Sequence, residues 1–179
     1  MQPEQFKLHF LMPRVPDVAK RGRHVLILLQ NAKGNFILGT KHIYPAGISR
    51  MVGGGIESGE DSLEAAQREL VEETQITAAS ASLLPLTTIF ANLTETTTGK
   101  IYSFITYLYY YAVGDQPLRP SDDLDNIVEL TGAEYQQLIQ RYTTLSPELD
   151  KTSGFAWSDY GKLYGKIHQI ALDALHHVQ

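Results

Sequence analysis

Three glutamates, Glu69, Glu72 and Glu73, lie close together in the stretch GGGIESGEDSLEAAQRELVEETQI, residues 53–76. At helical spacing they share one edge, where like charges three and four residues apart repel and weaken the helix. Arg68, four residues before Glu72, can pair with it, but a single cation is not expected to neutralise three carboxylates. Hard oxygen donors beside a glycine-rich backbone suit a divalent cation. Magnesium in particular takes a few carboxylates, keeps waters and bridges to substrate phosphates. The spacing therefore points to metal-assisted chemistry on a phosphate.

The surrounding residues position that edge. Gly53, Gly54 and Gly55 follow a strand end and let backbone approach a neighbour or ligand closely. Asp61 or Ser62 can cap the helix, and Glu64 completes a capping box if the cap is Asp61, so the helix starts near Ser62. Leu63, Ala66 and Leu70 form its buried stripe, with the glutamates on the adjoining edge.

Strands must carry this loop and helix. Residues 6–12 read as a short edge strand, 20–23 as a basic loop, 24–31 as a buried strand, and 36–40 as its return across a turn at 31–35. The loop to Gly53 is irregular. Residues 82–91 read as a strand, 92–100 as a polar turn, and 101–113 as a long strand, apolar or aromatic on both faces, that suits a central position. Tyr107, Tyr109 and Tyr111 share one of its faces. The short strand IVEL, a helix from Ala133 and a last helix from Ser158 complete the chain, the last with Tyr160, Leu163, Tyr164, Ile167, Ile170 and Ala171 on one stripe. This alternation predicts an α/β fold, a mixed sheet with helices on both faces.

Composition limits the function. The 179 residues, 43% of them hydrophobic, suffice for a single domain, 1–179, with its own core. A net charge of -5 argues against holding polymeric nucleic acid by general electrostatics, and leaves small or metal-bridged anions as partners. Without cysteine there are no disulfides or thiolate metal sites. No segment has the apolar length of a membrane span, and the first residues lack a signal-peptide pattern, so no membrane partner and a cytoplasmic location are expected.

Gly54, five residues, Glu60, seven residues and Arg68-Glu69-Leu70-Val71-Glu72-Glu73-Thr74-Gln75-Ile76 together resemble the Nudix box. That box reads Gly, five residues, Glu, seven residues, Arg-Glu, an aliphatic, any residue, Glu-Glu, any residue, Gly and an aliphatic. Matching its glycine at Gly54 and its five charged positions by chance has odds on the order of one in ten million per start position, so coincidence is not a competitor. Gln75 stands where the family has glycine, and carries a steric penalty if that position ends the helix in the left-handed conformation. Val52 stands where many members have proline.

The resemblance implies a Nudix-like α/β/α sandwich and hydrolysis of a nucleoside diphosphate linked to another group, by attack of water on phosphorus, with Mg2+ or Mn2+ as cofactor. Carried over by position, Glu69, Glu72 and Glu73 are metal ligands and the Gly53 carbonyl a further one. Arg68 then orients the glutamates, and Glu60 is a weaker or outer ligand. Families of this kind often add a ligand or general base from a loop outside the box. Here Glu95 in the 92–100 turn is the first choice, with Asp122, Asp123 and Asp125 as alternatives. Dimers are common in such families, so a homodimer is compatible. The rival from another class is a Nudix-type module that binds a nucleotide or protein without turnover. The intact glutamates favour the enzyme, because a module freed of chemistry would gain helix stability by losing them.

Blander readings stand beside these. Arg68 and Glu60 also make sense as a purely structural pair or cap. Lys20, Arg21, Arg23 and Arg50 read as solvated cations or as phosphate partners, and the 107–111 tyrosines and Trp157 as core or as rings that stack on a base. His168, His176 and His177 suit the negative end of the last helix.

Overall fold

The computed structural model describes residues 5–121 and 124–178. Its strands are β1 (Gln5–Met12), β2 (Arg23–Asn31), β3 (Phe36–Thr40), β4 (Leu84–Glu95), β5 (Lys100–Gly114) and β6 (Asn126–Leu130), and its helices α1 (Ser62–Thr74), α2 (Gly132–Thr143) and α3 (Trp157–Val178). The strands form one mixed sheet in the order β1-β4-β5-β2-β3-β6. The long strand is central as its two apolar faces require, with β5 antiparallel to β4 and parallel to β2. The first strand lies at the edge, parallel to β4.

Alternation along the strands sorts side chains into two cores. Val25, Ile27 and Leu29 of β2, with Tyr109 and Tyr111 of β5, pack with Ala65, Ala66 and Leu70 of α1. Leu26, Leu28, Phe104 and Leu108 face the other way, onto Tyr135 and Leu138 of α2 and Leu163, Tyr164 and Ile167 of α3. This is the expected α/β/α sandwich. The fully buried Leu70 anchors α1, and truncating such a leucine to alanine costs about 2–5 kcal/mol.

Some boundaries differ from the sequence reading. The polar turn is shorter than 92–100: β4 continues to Glu95 because β1 pairs with it up to Met12↔Glu95 and β5 up to Glu95↔Lys100. The strand expected at 82–91 begins at Leu84, after a short 3₁₀ turn at Ser80–Ser82. Part of the basic 20–23 loop belongs to a 3₁₀ helix, Asp17–Arg21, and Arg23 already opens β2.

The segment that reads as irregular before Gly53 is tied into the sheet. β2 and β3 pair only at Leu29↔Ile37 and Gln30↔Phe36 before they diverge. Residues 50–55 enter the gap: Gly39 and Arg50 exchange backbone hydrogen bonds of 2.9 Å, Ile27 N donates to the Val52 carbonyl at 2.8 Å, and Val25 N to that of Gly54 at 2.9 Å. The three glycines are thereby held along β2.

Candidate active site

The start and the end of α1 set the positions of its glutamates. Asp61 accepts from the Leu63 and Glu64 amides at 2.8 and 2.9 Å, and Glu64 accepts from Asp61 N at 2.9 Å, which completes the capping box. The helix closes at Gln75, whose φ of 61° is left-handed and whose N–H donates to the Val71 carbonyl. Between these ends Glu69 and Glu73, one turn apart, are buried against the glycine segment, while Glu72 is exposed.

Arg68 reaches more of the cluster than its spacing suggests. Its Nε and Nη2 donate to the two oxygens of Glu60 at 2.9 and 3.0 Å, its Nη1 to Glu69 at 2.8 Å and Glu72 at 2.9 Å, and Nη2 also to the Gly55 carbonyl at 2.9 Å. Of the three glutamates on the edge the planar fork reaches Glu69 and Glu72, its third carboxylate being Glu60, so this one cation does not serve all three, as expected. Glu73 is held separately. Gly53 N donates to its Oε2 at 2.8 Å, and Lys41 Nζ lies 3.8 Å from its Oε1. Burial, only partly offset by Arg50, pushes the Glu73 carboxyl up to about 7 and raises that of Glu69 too, whereas the hydrogen bonds from Arg68 lower that of Glu60.

Among the described residues no three acidic or histidine side chains converge as ligands around one point. The donor chemistry nevertheless fits a hard cation. The glutamate oxygens face a backbone kept close by glycine: a Cβ on Gly54 would collide with the Glu69 carboxylate, 2.7 Å from its Cδ, and one on Gly53, at φ 138°, would strike the Val25 carbonyl. For the glutamates to converge on one point, Glu69 and Glu72 would have to leave Arg68. The Gly53 carbonyl accepts from Arg50 Nη2 at 3.0 Å.

Glu69, Glu72 and Glu73 line a cavity of about 550 Å³ together with Gly53, Gly54 and Gly55. Arg21, Lys41 and Arg50 bring positive charge to it, and Ile43, Tyr44, Phe155, Trp157 and Tyr160 add apolar and aromatic groups to its lining. Arg68 and Glu60 are not part of this lining. Neither is Glu95, whose carboxylate accepts from Val15 N at 3.1 Å and from the Thr98 hydroxyl at 2.7 Å. Asp125 is bound to His42, through the His42 backbone amide and at 3.1 Å from Nδ1, while Asp122 and Asp123 lie outside the described residues.

Other sequence readings resolve as follows. Arg50 is buried rather than solvated. Lys20 pairs with Asp17 at 2.9 Å, and Arg23 lies over the Tyr107 ring. Tyr107, Tyr109 and Tyr111 pack on the α1 side and Tyr110 against the other core; none of them lines the cavity, whereas Trp157 belongs to both core and cavity. His168 is not at a helix end: it is buried in the middle of α3, with Nδ1 2.8 Å from the Tyr135 hydroxyl. Lys41, Tyr44 and Phe155 were not singled out in the sequence, and only the proximity of their loops to the glycines in space brings them to the site.

The family model for the NUDIX domain matches residues 20–149, and the chain belongs to the Nudix family. Over 68 residues it is 46% identical to the RNA pyrophosphohydrolase of Afipia carboxidovorans, a match that covers 35% of this chain and 40% of that protein, less than half the relative's length. The fold is similar to that of the dihydroneopterin triphosphate pyrophosphohydrolase of E. coli, with a TM-score of 0.55 and 15% identity over 87% of this chain and 99% of that one. It is also similar to the NUDIX domain of Shewanella oneidensis NrtR, solved with ADP ribose, with a TM-score of 0.56 and 15% identity over 86% and 87% of the two chains. At such identity these two likenesses concern the fold. Among the described residues no helix is long and apolar enough to cross a membrane.

Proposed function

We propose that this Nudix protein hydrolyses the diphosphate bond of a nucleoside diphosphate linked to another group, by attack of water on phosphorus, with Mg2+, or Mn2+ in its place, held by Glu69, Glu72 and Glu73. One observation carries the reading: the three carboxylates and the glycine backbone line one cavity together with aromatic side chains. The acids would suit a divalent cation, and the rings would suit the organic group of a phosphate compound.

When bound, the cation supplies charge neutralisation for the phosphate oxygens and a lowered pKa for water in the site. The chain's own residues do the positioning. Gly54 leaves the space that a side chain would take from Glu69. Gly53 N fixes one oxygen of Glu73. Arg68 keeps Glu60 by two hydrogen bonds, and Glu69 and Glu72, which it also holds, would be the carboxylates to ligate the metal. Arg21 and Lys41 add positive charge where an anionic substrate enters. The name of the Afipia relative, a pyrophosphohydrolase, supports the same reaction class.

The reading is tested by incubating the protein with nucleoside triphosphates, nucleotide sugars, dinucleotides and capped or CoA-like compounds, in magnesium and in chelator, and scoring phosphate released after a phosphatase is added. Release from at least one compound in magnesium alone is expected. No release from any of them, or release that ignores the chelator, would overturn it.

A further inference from the structure

The α1 side of the sheet is covered only in part. Along β5, Tyr107, Tyr109 and Tyr111 pack into the core under α1, whereas Ile101 and Ile105, which alternation puts on the same face, belong to neither core. The pairing register carries this open face to the sheet edge: Leu11, Thr94 and Ile101 stand side by side on β1, β4 and β5, and so do Lys7, Phe90 and Ile105. Leu11 and Ile101 are 64% and 62% exposed, and Phe90, half-buried, also takes part in neither core. Large apolar side chains gathered on one sheet face with no helix over them mark a docking surface. The polar groups between them are already paired. His9 Nε2 lies 3.1 Å from Thr94 Oγ1 and the Ser103 hydroxyl donates to Asn92 Oδ1 at 3.4 Å, so covering the face leaves few of them unsatisfied.

The charges at its two margins say what fits. At the edge strand the margin is basic, with Lys7 and His9 exposed. At the other margin the chain that leads into α1 passes the start of β2, where Ile56 N donates to the Arg23 carbonyl at 3.2 Å, and the exposed Glu57, Asp61 and Glu64 outweigh Arg23. A uniformly charged partner would be repelled at one margin or the other. A surface that is basic on one side and acidic on the other complements itself after a half-turn. We infer that this face binds a second copy of the chain about a two-fold axis that runs along β4. Two sheets stacked about 10 Å apart on such an axis set β1 of one copy over β5 of the other, so that Leu11 meets Ile101 of the second copy and Phe90 meets its own equivalent. The basic margin of each copy then lies against the acidic margin of the other, and α1 of each flanks the open edge of the other's β1. None of Lys7, Leu11, Phe90, Ile101 and Glu57 lines the glutamate cavity, so the contact is separable from the chemistry there.

Sedimentation equilibrium of the full chain, from about 1 to about 200 µM, reads the association, and the wild type is expected to dimerise with a Kd below about 50 µM. Leu11→Glu and Ile101→Glu change exposed positions, which folding tolerates, and each should weaken the dimer at least about twentyfold. Thermal unfolding checks that each variant is folded; should one of them not fold, the other decides. Lys7→Glu should weaken the dimer at least about threefold, and Glu57→Lys added to it should bring the Kd back to within about twofold of wild type, because the two charges change places across the axis. A wild type that stays monomeric at about 200 µM would overturn the inference and leave the face to a partner of another kind. A dimer that neither glutamate variant weakens would lie on another surface and overturn it equally. Loss in Lys7→Glu with no recovery in the double variant would overturn the two-fold arrangement.

Discussion

Arg68 grips Glu60 with two hydrogen bonds, Nε to Oε1 at 2.9 Å and Nη2 to Oε2 at 3.0 Å, and directs Nη1 to Glu69 and Glu72. In this arrangement the guanidinium does for the acidic edge what a metal ion would do. Removing it leaves the repulsion uncompensated. Arg68→Gln should therefore destabilise the metal-free protein by about 1 kcal/mol, a modest figure because the pair is partly exposed to solvent. Magnesium should close most of that gap in thermal unfolding. A loss that is equal with and without magnesium would show that Arg68 and the metal do not share the same carboxylates.

Gln75 is the one non-glycine residue with positive φ among the described residues, at 61°. A side chain there strains the helix end that a glycine would close freely. Gln75→Gly should raise stability by about 0.5–1 kcal/mol, since relief of strain is partly offset by the greater freedom of glycine in the unfolded chain. Urea unfolding measures this as a higher midpoint. An unchanged or lower midpoint would mean that the left-handed cap carries no strain.

Local signals carried much of this fold. The capping box at Asp61 and Glu64 and the two-sided strand β5 depend on residues a few positions apart, and the structure has both where the pattern puts them; the left-handed end at Gln75 is one that its side chain disfavours and that only the resemblance to the Nudix box suggested. The 92–100 turn did not read correctly because its first residues are polar, yet pairing with β1, some 80 residues earlier, extends β4 to Glu95. Arg50 reads as an ordinary loop cation. Its burial follows from the parting of β2 and β3 and the insertion of residues 50–55 between them, which no short window contains. The aromatic part of the cavity lining is similarly hidden, since Tyr44 and Phe155 come from loops far apart in the chain.

Glu95 tests the value of that correction. Its carboxylate anchors the turn to Val15 N and Thr98, and the Thr98 hydroxyl first, then the Val15 amide, holds its pKa down. Glu95→Gln should cost about 1 kcal/mol of stability and leave turnover within about twofold of wild type. A tenfold loss of turnover without loss of stability would return Glu95 to the chemistry.

Two buried histidines give the protein a pH signature. Burial, with Arg50 nearby, lowers the pKa of His24 and takes that of His168 down to about 3. Below the ordinary value near 6.5 the unfolded chain binds protons that the folded chain refuses, so stability falls as pH drops from about 6.5 toward 3. His168→Gln should flatten the dependence by up to about 1.4 kcal/mol per pH unit in that window. Urea titrations between about pH 6 and pH 4.5 measure the slope, and an unaltered slope would mean that His168 is protonated in the folded state.

The central claim is that Glu69, Glu72 and Glu73 hold the divalent cation of a diphosphate hydrolase. Turnover of the best substrate by wild type, Glu72→Gln and Glu73→Gln in saturating magnesium tests it most directly, because each change removes one charge and keeps the shape. The account predicts folded variants whose turnover falls at least about a hundredfold, as when a principal electrostatic group is lost. Wild-type turnover in both variants would contradict it.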